Sequence, residues 1–139
     1  MSYHLKKIAV GIETIERLYV RQKIIKETYG TILHTTRNMP KKREDLIKTG
    51  SMFWIIKRKV LVRQKILDIL SVIRSDGSKG CEIELDKKLI RVIPTPMKPF
   101  QGWRYYLEED IPRDLNLDEE TDDNLPDNIN AELIKLGLY

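Results

Sequence analysis

The chain has 139 residues, 41% hydrophobic and 33% charged, with a formal net charge of +4. That length fits one domain whose core takes up roughly two thirds of the unfolded chain's surface, and the aliphatic content excludes a disordered chain. A single cysteine, Cys81, excludes an intramolecular disulfide and a cysteine-built zinc site, and no apolar run approaches the roughly 18–20 residues of a membrane span.

Charge is unevenly placed. Residues 1–104 hold 23 Lys+Arg against 10 Asp+Glu, net +13, and residues 105–139 hold 2 against 11, net −9. A basic body suits phosphate partners, because association with nucleic acid releases condensed counterions. A solvated lysine-rich surface is the plainer explanation of the same charges. The opening residues Met1 to Lys7 lack the charge, apolar region and cleavage-site order of a signal peptide, so a cytoplasmic protein is expected.

In chain order, His4 to Val10 reads as a strand, ended by Gly11. Thr14 can cap a helix over about Ile15 to Tyr29, with Ile15, Leu18, Tyr19, Ile24 and Ile25 as its apolar stripe and Gly30 as its terminator. Thr31 to Arg37 is β-rich and short, a second strand. Pro40 suits a first helical turn, and Lys41 to Lys48 forms a short helix stopped by Gly50. Lys41, Lys42 and Arg43 crowd the start of that helix, against its dipole, which an anion bound there would relieve.

Ser51 to Lys57 is a buried strand by composition, followed by a two-residue turn at Arg58-Lys59. In Val60 to Arg74 the residues Val62, Ile66, Ile69 and Ile73 fall at helical spacing, while the β-branched content favours a long, bent strand. A turn at Ser75 to Gly80 leads to strands at Cys81 to Leu85 and Leu89 to Ile93, after which Pro94, Pro96 and Pro99 impose an extended path. Four of the eight residues from Phe100 to Leu107 are aromatic, against 7% in the whole chain, which makes that run a candidate stacking surface. Residues 108–128 are acidic and irregular, and 129–136 read as a closing helix.

Catalytic groups are sparse. The chain has two histidines, His4 and His34, with no glycine-rich phosphate loop, no HExxH spacing and no paired carboxylates of the glycosidase kind, so no catalytic residue, metal ligand or cofactor is assigned. His34 reads first as a structurally bonded histidine and Cys81 as a buried thiol. Better suited to chemistry is a binding set. Trp54, Trp103, Tyr105 and Tyr106 offer stacking faces, Arg37, Lys57, Arg63 and Arg104 can meet phosphate, and Gln64 and Gln101 can hydrogen-bond a base edge. Trp54 within F-W-I-I equally suits plain core.

The runs H-T-T-R-N-M-P-K-K-R, G-S-M-F-W-I-I-K, V-R-Q-K-I-L-D-I and P-F-Q-G-W-R-Y resemble a family of short bacterial proteins that carry a domain of unknown function, and the likeness spans nearly the whole chain. Members of that family usually have glycine after I-K, where this chain has Arg58. The order R-N, basic helix, glycine, aromatic strand, turn and long strand, from Arg37 to Ile69, is similar to the PUA-like superfamily with its ASCH and EVE branches, small partly open β-barrels of which many bind RNA or modified bases. This likeness favours the strand over the helix at 60–74.

The resulting expectation is an α+β, PUA-like, partly open β-barrel over residues 1–107 with peripheral helices, followed by an acidic segment over 108–139. It is expected to bind RNA or a modified nucleotide. Arg37, Lys41, Lys42, Arg43, Lys57 and Arg63 would contact phosphate, and Trp54, Gln64, Gln101, Trp103 and Arg104 would line a pocket. The alternatives are a protein-interaction module regulated by its acidic tail and a metal-dependent nuclease or other hydrolase.

Overall fold

The computed structural model describes residues 2–115. The closing helix expected at 129–136 lies outside them. Strand β1 (Tyr3–Ile8) leads to helix α1 (Ile15–Tyr29), strand β2 (Ile32–Thr36) and helix α2 (Arg43–Thr49). Strands β3 (Ser51–Ile56), β4 (Lys59–Ile73), β5 (Lys79–Leu85), β6 (Ile90–Pro96) and β7 (Trp103–Leu107) follow. Helix α1 begins where expected: the Thr14 hydroxyl accepts the Arg17 N–H at 3.1 Å, satisfying one of the four donors a helix start leaves open. It ends at Gly30, whose φ of +83° is a conformation that favours glycine, with the Gly30 N–H on Lys26 O at 2.7 Å. Gly50 serves a different purpose. A Cβ there would sit 2.7–2.8 Å from backbone atoms of Leu46 and Tyr3, so only glycine lets α2 close against β1.

The sheet order is β2-β5-β4-β3-β1-β7, with β6 paired to β4 beside that path. Strand β1 runs parallel to β3, with Leu5 opposite Met52, and antiparallel to β7, with His4 opposite Tyr106. Strand β4 is the long strand that β-branched composition favoured over a helix. Its first half pairs with β3 and β6, with a register shift between Val60 and Val62, and its second half pairs with β5, with a shift between Ile66 and Asp68. One strand therefore belongs to two sheet halves, and the bulges turn it from one to the other.

The strands do not close into the barrel expected from sequence. The outer edge of β6 is taken by residues 113–115: Ile93 N–H donates to Arg113 O and Leu115 N–H to Arg91 O, each at 2.9 Å. The described part of the acidic segment thus lies along the sheet, leaving β1 as the only strand partner of β7 among the described residues. No helix among the described residues is long and apolar enough to cross a membrane.

All six residues of β3 are buried, because this strand is covered on both faces. Met52, Trp54 and Ile56 face α1 and join Leu5, Leu18, Leu46, Val62, Ile66 and Ile83 in the larger core. Phe53 and Ile55 face the other way, with Val60, Val92 and Tyr106. Each such large side chain contributes on the order of 1.5–3 kcal/mol by leaving water.

The β3–β4 turn falls one residue earlier than the sequence suggested, at Lys57 and Arg58, with φ of +51° and +66°. Both residues occupy the left-handed region, the geometry of a two-residue hairpin turn that matches strand twist and favours Asn-Gly. Arg58 has no Cβ-free alternative and costs about 1–2 kcal/mol in that conformation. Its side chain is exposed, and its carbonyl accepts the Met97 N–H at 2.8 Å. Arg58→Gly keeps that bond and removes the strain. Urea denaturation should show stability raised by about 1 kcal/mol, partly offset by glycine's greater freedom in the unfolded chain.

Candidate functional site

The two most distinctive sequence runs meet in space. Trp103 Nε1–H donates to the Asn38 carbonyl at 2.8 Å, and the Lys42 N–H donates to the Tyr105 hydroxyl at 3.1 Å. Beneath this junction Trp103, Tyr105 and Tyr3 form an edge-to-face series, with centroids 5.0 and 5.8 Å apart. Lys42 Nζ lies 5.2 Å above the Tyr3 ring. The loop carrying exposed Arg37, Lys41 and Lys42 is therefore held on an aromatic base.

Trp54 and Gln64 also come together, inside the protein. The Trp54 Nε1–H donates to Gln64 Oε1 at 3.0 Å, and the Gln22 and Gln64 amides bond reciprocally at 2.9 and 2.6 Å. Gln64 Nε2 further donates to Asp86 O at 2.7 Å. The Gln64 side chain is fully buried, and these bonds use its donors and acceptors, so its role in this structure is to fasten α1 to the sheet.

Two of the expected phosphate-binding arginines are occupied internally. Arg43 pairs with Asp68 at 2.9 Å and donates to Ile69 O at 2.6 Å. Arg63 forms a two-pronged bond with Asp114, at 2.7 and 2.8 Å, and donates to Ser51 Oγ at 3.1 Å. The same end of the sheet holds His4, whose Nδ1 accepts the Ser51 N–H at 3.0 Å while Nε2 meets Glu108 Oε1 at 2.7 Å. Nδ1 is thereby the acceptor nitrogen, and Nε2 carries the proton shared with Glu108. Gln101 is exposed, and Arg104 stacks 5.0 Å from the Phe100 ring centre. Since Arg104 pairs with Lys6 in the ladder whereas Trp103 pairs with Lys7, these two neighbours point to opposite faces of the sheet.

A wide opening lies elsewhere among the described residues, between α1 and the ends of β1 and β3. It is a cleft of about 870 Å³ with Ile8, Ile12, Val20, Ile24 and Ile25 on its walls and Arg17, Arg21 and Lys57 around it. Glu13 is the one acid of its lining. The apolar stripe expected on this helix is split: Leu18 is buried, whereas Ile24 is 58% exposed at this cleft, alongside Val20, outside that stripe, at 45%. Arg17 and Arg21, and likewise Val20 and Ile24, stand four residues apart and so share faces of α1. That pairing was visible in the sequence, and it is the signal that would have found the site.

Below the cleft lies a recess of about 90 Å³, sharing Ile8, Ala9, Arg21 and Ile25 with it. His34 and Trp54 form its inner wall, their rings edge-to-face at 5.2 Å. Burial holds the His34 pKa down at about 4, with the charges of Lys7 and then Arg21 adding to the effect. Lys7 is half-buried and its own pKa is lowered by desolvation. Among the described residues no group of three or more His, Cys, Asp or Glu side chains gathers as a metal site.

These features define an α+β protein of mixed sheet with an apolar, cation-rimmed cleft beneath its long helix. The chain matches the family described as a protein of unknown function, DUF1489, over residues 5–139, and it belongs to that family. Comparisons with curated proteins and with solved structures give no significant match.

His34 makes stability depend on pH. The unfolded chain takes up a proton near pH 6.5 and the folded chain only near pH 4, so stability falls as pH drops through that interval and levels off below it. The loss attributable to His34 is about 3 kcal/mol. Chemical denaturation of wild type and His34→Gln at pH 7 and pH 4.5 should show a smaller pH effect in the variant.

Proposed function

We propose that the protein binds RNA or a modified nucleotide in the cleft between α1 and the sheet. The observation that carries this reading is the cleft's composition: apolar walls wide enough for a base, surrounded by Arg17, Arg21 and Lys57, none of which forms an ion pair among the described residues. A base packs on Ile8, Val20 and Ile24 while the cations take its phosphates. A longer strand continues past Lys7 and Trp103, neighbours in the β1–β7 ladder, toward the loop bearing Arg37, Lys41 and Lys42. The PUA-like assignment belongs to the same proposal. What supports it is the succession of basic helix α2, Gly50, aromatic β3, tight turn and long β4.

The test is binding of purified protein to cellular RNA, and separately to free nucleotides, across a salt series. Selective retention is expected to weaken as salt rises, and the double variant Arg17→Ala/Lys57→Ala should reduce the logarithmic salt slope by roughly 0.7 for each single-strand phosphate contact removed. Unchanged affinity and slope in that variant would place the ligand elsewhere.

The second reading, a protein-interaction module governed by its acidic segment, is favoured by one observation: Asp114 and Glu108 already occupy Arg63 and His4. In that case Asp114→Asn, which frees the Arg63 guanidinium, increases capture of an acidic protein partner without changing RNA retention.

A further inference from the structure

The recess under the cleft contains uncompensated positive charge and an unused hydrogen-bonding atom. His34 Nε2 is enclosed and has no hydrogen-bond partner among the described residues. Leaving such an atom unbonded costs about 1–3 kcal/mol. Lys7 lines the same space and forms no ion pair among the described residues. Arg21 stands at the mouth, its Nη2 donating to Val10 O at 3.0 Å. No Asp or Glu lines the recess. A histidine and two cations lining one small space, with no acid beside them, is an arrangement that an anion would complete.

The volume narrows the choice. At about 90 Å³, against about 870 Å³ for the cleft, the recess suits one tetrahedral oxyanion rather than a nucleoside. We propose that this recess is an oxyanion pocket that receives the terminal phosphate of the nucleotide bound in the cleft. Lys7 and Arg21 supply charge, and neutral His34 supplies its Nε2–H, the tautomer that an anion selects. The assignment rests on the nucleotide reading of the cleft and makes it more specific. A phosphate monoester, in which the chain ends at the phosphate, suits so small a recess, whereas an internal diester must continue on both sides of its phosphate. The ligand class is therefore a nucleoside monophosphate or an RNA end that carries a phosphate.

Inorganic phosphate is the first probe, titrated into the full-length protein at low ionic strength while the imidazole nitrogens of the two histidines are followed by NMR. Saturable shifts at His34, without the same response at His4, are expected. Lys7→Met keeps the length of the side chain and removes its charge. It should weaken phosphate binding about tenfold or more, while Tm rises because a half-buried unpaired charge is gone. Arg21→Met, at the exposed mouth, serves if Lys7→Met does not fold. Oligoribonucleotides with phosphate ends should bind about tenfold more tightly than the same sequences with hydroxyl ends. Equal binding of the two would overturn the pocket while leaving the cleft reading in place. Phosphate shifts at His34 with no RNA or nucleotide bound would uphold the anion pocket and overturn the nucleotide. No response to phosphate in either measurement overturns the pocket.

Discussion

The reciprocal amide bond between Gln22 and Gln64 is the constraint on which the arrangement of this protein depends. It joins the middle of α1 to the middle of β4, and its Gln64 end also receives Trp54 and reaches the Asp86 carbonyl. Because the Gln22, Gln64 and Trp54 side chains are buried, none of them readily exchanges its partner for water, and each holds the others to one geometry. Apolar packing alone would let α1 slide or roll on a sheet rich in Ile and Val. The amide pair fixes both its distance and its rotation, and with them the side of the helix that remains open as the cleft wall.

The same network explains why the recess is ordered. Trp54 cannot rotate while its indole N–H is bonded to Gln64, and the His34 ring rests on the edge of that indole. The cleft and its recess are thus a by-product of how the helix is fastened, and their charge comes from three separate parts of the chain: Lys7 on β1, Arg17 and Arg21 on α1 and Lys57 in the β3–β4 turn. On the opposite face the cations are treated differently. Arg63 is matched by Asp114, and Lys6 lies 4.7 Å over the Tyr106 ring.

Local signals in the sequence were strong where the physics is local. Thr14 and Gly30 bracket α1 because cap chemistry and left-handed φ act within a few residues, and β3 was evident because a strand covered on both faces must be continuously apolar. The ambiguous run at 60–74 shows the limit. Helical spacing of Val62, Ile66, Ile69 and Ile73 arises in a strand because the bulge near Leu67 shifts the alternation by one residue partway along. The site was less legible still. Gln64 looked like a base reader because an amide's partners lie 42 and 22 positions away, and Arg63 looked free because Asp114 is 51 positions away. Closure of the sheet failed as an expectation for the same reason, since nothing local marks residues 113–115 as the neighbours of β6.

The position of β1 has a consequence for how the chain is made. It sits between β3 and β7, so the earliest of the described strands has one neighbour well along the sequence and the other in the last strand described. Until that last strand emerges, β1 has an open edge, and its pairing with β3 is a parallel, long-range contact of the kind that forms slowly. The β3–β4–β5 meander, by contrast, is contiguous and can assemble as soon as it is synthesised. From the emergence of β1 until that of β7 the nascent chain consequently carries a partly apolar strand with an open edge, and its exposure to misassociation ends only when the aromatic run at 103–107 arrives to cover it.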